Sequence, residues 1–452
     1  MPTCTFSRKH TSKARRSEKV KKDRHITLHC YCDKMADEIG IAIHGSTGSI
    51  GEQTLDVVRR LQGKVNFRVV ALACRGNIDA MERQVLEYKP AYAAVEDENK
   101  AKELRARLRR RSETEVLAGH EDSVKVCGFE GIDFVVIGTS GFAGLEPTLE
   151  AISKGKRLST ANKETFLAAG KLVTEAAKKN GVDMLPMDSE PSAMWQCLEP
   201  EVWHGSGVRH SVIWELQHGA KHSIDHFILT GSGGPFLRNR AAMGVATPEQ
   251  ALRHPTWNMG ALITIRSATM MNKGMERIEA SSIFGVPLDM VKIVIHPQSI
   301  VHSGVVLTDG SQKMQQGPHD MRYPIQYALA FPERHDTGLP RLDLAATRRF
   351  DFEDPDPEQF PSLALAERAG KQGGTAPAVL NASDEIAVAA FMGMRIGFMQ
   401  MAEVVKNALD AHSVITDPTL NQIIAADKWA REHSLAIVDE LAKRRKPSKI
   451  RV

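Results

Sequence analysis

The sequence predicts an α/β protein built from an open parallel sheet with helices, a central α/β region and a C-terminal helical region. Three observations predict it. Short apolar runs alternate with helical stretches from Ile39 to about Asp188. Strands flanked by Gly-rich and His-containing loops occupy about 188–320. Apolar residues then recur at three-and-four spacing over Phe360–Leu441. The length of 452 residues, with 25% charged and 42% hydrophobic positions, suits two or three domains and excludes collagen-like repeats, coiled coil and wholesale disorder. No internal repeat is present, and no apolar run approaches the roughly 18 residues that span a bilayer.

The first element is a basic tail. Residues 1–34 hold ten Lys/Arg against three acids, a charge of +7, so with a total of +4 the rest of the chain carries −3. The basic balance therefore belongs to the tail, and no nucleic-acid groove or membrane surface is expected in the body. The tail is read as a disordered extension, with Met35-Ala36-Asp37 as a natural start. A plastid-type targeting segment is the alternative, weakened by its acids and poor apolar periodicity. Six scattered cysteines, Cys30 and Cys32 among them, form no C-x-x-C pair, so neither disulfides nor structural zinc are indicated and a reducing, cytoplasmic setting is expected.

In chain order, Ile39–His44 reads as a buried strand and Thr54–Leu61 as part of a helix. Phe67–Ala73, Tyr92–Val95, Phe134–Gly138 and Leu158–Ala161 repeat the strand theme, with a helix near Met81–Tyr88. Such alternation implies right-handed crossovers and a parallel sheet. Phe227–Thr230 and Val291–Ile295 are strands of the middle region, and the Pro/Asp-rich stretch 351–358 reads as a linker or exposed loop. The boundaries that result are 1–34, 35–187, 188–320, a linker region 321–359, and 360–452.

Gly45-Ser-Thr47-Gly48-Ser49-Ile50-Gly51 follows the first strand and opens a helix, which makes the first part Rossmann-like. There glycines let the backbone turn tightly beside a pyrophosphate, and free N–H groups at the helix start attract it. The spacing is G-x-x-G-x-x-G, so a plain strand–helix turn is the competing reading. The second strand ends Cys74-Arg75-Gly76-Asn77, without the carboxylate that holds a ribose 2′-hydroxyl. Arg75 is either a partner for a 2′-phosphate, favouring NADP over NAD, or a solvated surface charge.

Asp188-Ser189-Glu190 closes a strand-like run, Met184–Met187. If extended, its two carboxylates lie on one side about 7 Å apart and suit Mg²⁺ or Mn²⁺ rather than zinc; otherwise they are solvated. Ser267–Glu276, read as one helix, puts Asn272 and Glu276 on a common face with Ser267 near its N-terminus and Lys273 beside them, a grip for a phosphorylated, metal-bound polyol. The interleaved Met270, Met271 and Met275 argue against a merely solvated helix, while Glu279 is read as structural. Ser232, in Thr230–Pro235, can bring a hydroxyl to a phosphate. His254-Pro-Thr-Trp257-Asn-Met259-Gly260 has the composition of a mobile lid, with core packing as the alternative for Trp257.

These strings, with Gly141–Pro147, Ala161-Asn162-Lys163-Glu164, Ser232–Phe236, His296–Ser299 with His302 and Gly373–Asn381, resemble the 1-deoxy-D-xylulose 5-phosphate reductoisomerase family, in order over about residues 39–400. The resemblance implies an NADPH-dependent homodimeric enzyme of the non-mevalonate isoprenoid pathway that makes 2-C-methyl-D-erythritol 4-phosphate. It implies a divalent ion, Mg²⁺ or Mn²⁺, on the ketone and hydroxyl oxygens, rearrangement by retro-aldol cleavage and re-addition, and hydride reduction of the resulting aldehyde. Asp188, Glu190 and Glu276 would be metal ligands. Ser232, Asn272, Lys273 and His254 would hold the phosphate, and Lys163, Ser189 and Ser267 the other polar groups, with Trp257 and Met259 of the lid over the substrate. Thr47 to Ile50, Asn77, Asn162, Glu164 and Gly260 would line the cofactor, beside Gly45, Arg75 and Gly76 of the nucleotide turn.

Four positions depart from the family pattern. Pro191 replaces a His after Glu190, Leu262 a Lys, Arg266 an Asp before Ser267, and Arg75 a Gly. Retained activity with altered rate or affinity is expected. A non-catalytic NADPH-binding paralogue, or an oxidoreductase acting on another sugar phosphate, are the alternatives.

Overall fold

The computed structural model describes residues 38–198, 211–217 and 223–444. The basic tail, Cys30, Cys32 and the Met35-Ala36-Asp37 start lie outside the described residues. Strands β1 (Ile39–His44), β2 (Phe67–Cys74), β3 (Tyr92–Val95), β4 (Glu115–Ala118), β5 (Phe134–Ile137), β6 (Arg157–Thr160) and β7 (Met184–Pro186) form one sheet in the order β4-β3-β2-β1-β5-β6-β7. Every pair in it is parallel. Helices cover such a sheet on both faces, which is why β1, β2 and β5 are near-continuous apolar runs. Edge strand β4 buries only Val116, starts with an acid and has no apolar run to betray it.

Strand order reverses between β1 and β5, and at that point the carboxyl ends of neighbouring strands leave a crevice. The glycine turn sits there. The Gly45 and Ser46 amides both donate to the Ala73 carbonyl, at 2.9 Å each, folding the chain into the Ser49–Arg60 helix. That helix starts at Gly48 with no side-chain cap, so its first amides are not claimed by a side chain. Gly51 permits its close approach: a Cβ there would lie 2.4 Å from the Gly45 carbonyl oxygen.

The second sheet runs β11-β10-β8-β9, from β8 (Ile224–Gly231), β9 (Val291–Ile295), β10 (Val301–Leu307) and β11 (Gln312–Gln316). β8 and β9 are parallel, and β10 is antiparallel to β8 and β11. Helices Pro361–Gln372, Ala376–Met392, Gln400–Ala411 and Leu420–Arg444 make up the C-terminal region and bury Val379, Val404 and Ala430. Among the described residues no helix is long and apolar enough to cross a membrane, and Cys74, Cys127 and Cys197 are buried free thiols.

Two local expectations are corrected. Asp188-Ser189-Glu190 is not extended: the Ser192 amide donates to the Asp188 carbonyl at 3.0 Å and the Ser189–Leu198 helix begins at once. Pro191 sits in its first turn, where an amide has no helical partner, so the missing N–H costs little. Nor is Ser267–Glu276 one helix. The Ala261–Ala268 helix ends, Met270 takes φ 61°, and the Met271–Phe284 helix starts anew. Ser267 therefore closes one helix rather than opening another. Methionine is a good helix former, so nothing local announced the break; buried Met270 and the Thr269 hydroxyl, which accepts from the Met271 amide, stabilise it.

Within 321–359, expected as a linker, residues Arg322–Ala330 form a helix. Its Tyr327, with Phe331, packs on buried Trp195 at ring distances of 4.4 and 4.9 Å, bracing the Ser189–Leu198 helix. Its Arg322 lies 2.9 Å from Asp56, which also pairs with Arg59 and Arg60. Burial opposes ionisation of Asp56, but its arginine partners outweigh burial and hold the carboxyl far below the usual range.

Two stability outcomes follow. Gly51→Ala, which forces a methyl onto backbone, lowers stability by about 1–3 kcal/mol, read from denaturant unfolding. Asp56→Asn costs about 1–3 kcal/mol at pH 7. Because the folded carboxyl is depressed, that contribution is complete above the unfolded value near 4 and disappears as pH falls below it, so mutant and parent unfolding midpoints converge in acid.

Candidate active site

A cleft of about 920 Å³ opens where the carboxyl ends of both sheets meet the lid segment. It is lined by Gly48, Ser49, Ile50, Lys163, Glu164, Asp188, Ser189, Glu190, Ser232, His254, Trp257, Met259, Gly260, Ser267, Asn272, Lys273 and Glu276, all expected from sequence. It also takes in Thr139, Ser140, Ser299, His302 and His319.

At the floor are three carboxylates. One oxygen from each of Asp188, Glu190 and Glu276 lies within 4.8 Å of the others, close enough to share an ion. Asp188 and Glu190 come from the start of one helix, where the dipole favours anions. Glu276 comes one turn into the Met271–Phe284 helix. Lys163, from the first turn of the Lys163–Asn180 helix, places Nζ 2.8 Å from Asp188 Oδ2, 2.7 Å from Glu276 Oε1 and 3.0 Å from Asn272 Oδ1. Lys273 Nζ is 2.6 Å from Glu190 Oε1 and also contacts Glu276. Its stem crosses Gly231, where a Cβ would lie 2.8 Å from Lys273 Cε.

Burial pushes the Glu190 carboxyl up, yet the Lys273 and Lys163 ammonium groups prevail and hold it at about 2. Glu276 is raised, by burial and then by Glu190, against the pull of the same lysines. Burial works against the charge on both lysines, and the surrounding carboxylates more than restore it. Three carboxylates against two ammoniums leave a net negative charge, and the donors are all hard oxygens, so the residues present fit Mg²⁺ or Mn²⁺. Asp188 Oδ2 and Glu276 Oε2 also lack a well-directed hydrogen bond despite the neighbouring ammoniums. Buried Glu279 is pushed well up, first by burial and then by Asp188.

Beside the carboxylates is a set of neutral donors. His254 Nδ1 accepts from the Thr256 and Trp257 amides at 3.2 and 2.9 Å, so the proton of the neutral ring sits on Nε2. Nε2 lies 3.1 Å from Ser232 Oγ and 3.0 Å from Ser267 Oγ. Burial, then Lys273 and His319, push this imidazole down to about 4, so it is neutral at pH 7. Ser232 Oγ also accepts from the Gly234 amide at 3.1 Å, which leaves its own proton to offer an incoming oxygen. Trp257 is half-buried between His302 and His319, at ring distances of 5.9 and 5.3 Å, rather than packed into a core. Met270 and Ser299, both on the cleft wall, hold positive φ, a strain that collects at functional sites.

Not every expected residue faces the cleft. Asn162 is fully buried and spent on structure: its oxygen caps the Thr165 amide, and its nitrogen donates to the Thr139 and Gly141 carbonyls. It shapes the cleft wall without lining it. Gly45, Thr47, Arg75, Gly76 and Asn77 lie at the ends of β1 and β2 outside the lining, with Arg75 and Asn77 exposed and Asn77 capping the Ile78–Tyr88 helix. Leu262 and Arg266, two of the unexpected residues, have a physical setting, while the exposed Arg75 has no structural explanation. Leu262 packs on the apolar cluster that holds Phe391 and Phe398. Arg266 is fully buried and paired. Sequence reasoning missed His319, Thr139 and Ser140; only the switch point after β5 could have pointed to the last two.

The chain is similar to known proteins over most of its length. A family model for 1-deoxy-D-xylulose 5-phosphate reductoisomerase matches residues 41–170, its C-terminal domain matches 184–284, and a DXP reductoisomerase C-terminal domain matches 316–433. The reductoisomerase of Chlorobium phaeovibrioides is 48% identical over 393 residues, covering 87% of this chain and 97% of the relative. That of Heliobacterium modesticaldum is 45% identical over 402 residues, covering 88% and 97%. The solved Zymomonas mobilis enzyme in complex with NADPH superposes with a TM-score of 0.80 at 37% identity, over 90% of this chain and all (100%) of that one. A reductoisomerase solved with NADPH, fosmidomycin and magnesium gives 0.83 at 36% identity, over 89% and 99%. The chain belongs to the 1-deoxy-D-xylulose 5-phosphate reductoisomerase family.

Proposed function

We propose that this protein converts 1-deoxy-D-xylulose 5-phosphate to 2-C-methyl-D-erythritol 4-phosphate with NADPH and Mg²⁺ or Mn²⁺, in the non-mevalonate isoprenoid pathway. The observation that carries the proposal is the meeting of Asp188, Glu190 and Glu276 in a cleft that also holds the helix start at Gly48, Ser49 and Ile50 and a cluster of phosphate-type donors. Relatives solved with NADPH and magnesium support the same cofactors.

In this reading Asp188, Glu190 and Glu276 hold the dication, which supplies Lewis acidity at the substrate's ketone and hydroxyl oxygens while NADPH supplies hydride. Lys163 keeps Asp188, Asn272 and Glu276 in register and faces the reacting oxygens. Ser232, Ser267 and Asn272 donate to the phosphate, His254 orients both hydroxyls through Nε2, and Lys273 contributes its charge. Ser189 positions Glu190, whose Oε2 accepts its hydroxyl at 2.6 Å. Trp257 and Met259 exclude water above the substrate. The uncapped amides at Gly48–Ile50 take the pyrophosphate, Glu164 and Gly260 lie along the cofactor, and Gly76, Asn77 and Arg75 meet the 2′-phosphate end. The same reading makes 35–187 the NADPH domain, 188–320 the catalytic domain and 360–452 a helical domain joined through 321–359, with the enzyme acting as a homodimer.

Incubation with the phosphorylated deoxyketose, Mg²⁺ and NADPH should give the branched polyol phosphate and one NADP⁺ per product. EDTA should abolish turnover and Mg²⁺ or Mn²⁺ restore it. Glu276→Gln should lower kcat by about 100-fold or more, since it removes a ligand charge. Absence of metal-dependent NADPH oxidation at saturating substrate would overturn the proposal. Separately, Arg75→Ala should raise the KM for NADPH about tenfold, roughly one charge-assisted contact, and leave NADH unaffected.

A further inference from the structure

Arg266 stands one residue before Ser267 of the cleft, and the structure gives this buried charge a built environment. The guanidinium is completely buried. Nη1 lies 2.6 Å from Glu164 Oε1, Nε 2.7 Å from Asp384 Oδ2, and Nη2 2.8 Å from Asn381 Oδ1 and 3.9 Å from Glu385. Glu385 is shared in turn with Arg431, at 2.8 Å. One side chain thus ties the Ala261–Ala268 helix, which runs from the lid's Gly260 to Ser267, to the first turn of the Lys163–Asn180 helix and to Ala376–Met392. The planar fork spreads its donors over three nitrogens, so it reaches acceptors on two other helices that a single ammonium nitrogen at this position would not span.

Glu164 is the partner that matters. It lines the same cleft as Gly48, Ser49 and Ile50, where a dinucleotide brings several negative charges. A buried carboxylate facing that ligand repels it strongly in a low dielectric unless a cation neutralises it. We propose that Arg266 is a positioning and charge-compensating residue for the cofactor: it neutralises Glu164 and fixes its carboxylate at the cleft wall, so that this acid is tolerated in a cleft that binds a polyanion. The inference rests on the proposed NADPH site.

The test is equilibrium titration of the full-length protein with NADPH, followed by nicotinamide fluorescence without substrate, so it does not depend on turnover. The pair Arg266→Met with Asp384→Asn removes one buried charge of each sign and leaves Glu164 unpartnered. It should still unfold cooperatively, at a lower thermal midpoint, while the dissociation constant for NADPH rises about tenfold. Adding Glu164→Gln should bring the constant back to within about threefold. If the pair does not fold, Arg266→Lys carries the test: it keeps the compensating charge, so the constant should rise by less than about threefold, and a tenfold rise overturns the inference. NADPH affinity unchanged in the folded pair, or a loss that Glu164→Gln does not repair, overturns the inference. No NADPH binding by the parent protein would instead overturn the cofactor reading beneath it.

Discussion

Charge held out of water around one point is the constraint on which the rest of this molecule depends. Asp188, Glu190, Glu276, Lys163 and Lys273 are brought together from three helices, within contact distance, in a site that water hardly reaches. Isolated ions would not tolerate such burial, because the desolvation penalty of each is several kcal/mol. They tolerate it because each carboxylate meets an ammonium, and because the remaining imbalance is negative and suited to a dication. The opposite shifts of Glu190 and Glu276 express the same competition. Glu190, paired with Lys273, keeps its charge easily; Glu276, buried and against Glu190, holds its charge at a cost despite contacts to both ammoniums.

The fold supplies that convergence through helix ends and strand ends. Asp188 and Glu190 start a helix immediately after β7, Lys163 starts another after β6, and Lys273 and Glu276 follow the break at Met270. A break there frees Ser267 to close the preceding helix and face Ser232 across His254, which a continuous helix would not allow. Strain at Met270 and Ser299 is thereby located where it shapes the cleft. Trp195, packed on Tyr327 and Phe331, and Asp56, clamped by Arg322, then tie the Arg322–Ala330 helix to both the metal-side helix and the nucleotide-side helix.

The positions that depart from the family pattern obey the same rules. Pro191 stands in a helical first turn that needs no amide there, and Leu262 joins an apolar cluster. Arg266 is the instructive one, because a buried reversed charge is sustainable only where other charges have been gathered around it, as Glu164, Asp384 and Glu385 are. A substitution that looks disruptive at one position along the chain is compensated by acids more than a hundred residues away.

How much was legible in the chain follows from the range of the forces. Hydrophobic periodicity and the glycine turn act within a dozen residues, so β1, β2, β5, β9 and the strand–turn–helix at Gly45–Gly51 could be read directly, and so could the residue types of the cleft. Short or polar edge strands such as β4 and β11 carry no periodic signal, because half of their partners come from elsewhere. The break at Met270 depends on what packs against it, because local propensity there favours a continuous helix, whereas the helix start at Asp188 carries a capping signature, an Asp with an acid and a Pro in the first turn, that the strand-like run before it masks. That Asn162 spends its side chain on the Thr139, Gly141 and Thr165 backbone, and that Arg266 is paired with Glu164 and Asp384, is visible only in tertiary contacts. The energy of a buried polar group is set by its partners in space, and the order of residues along the chain does not contain them.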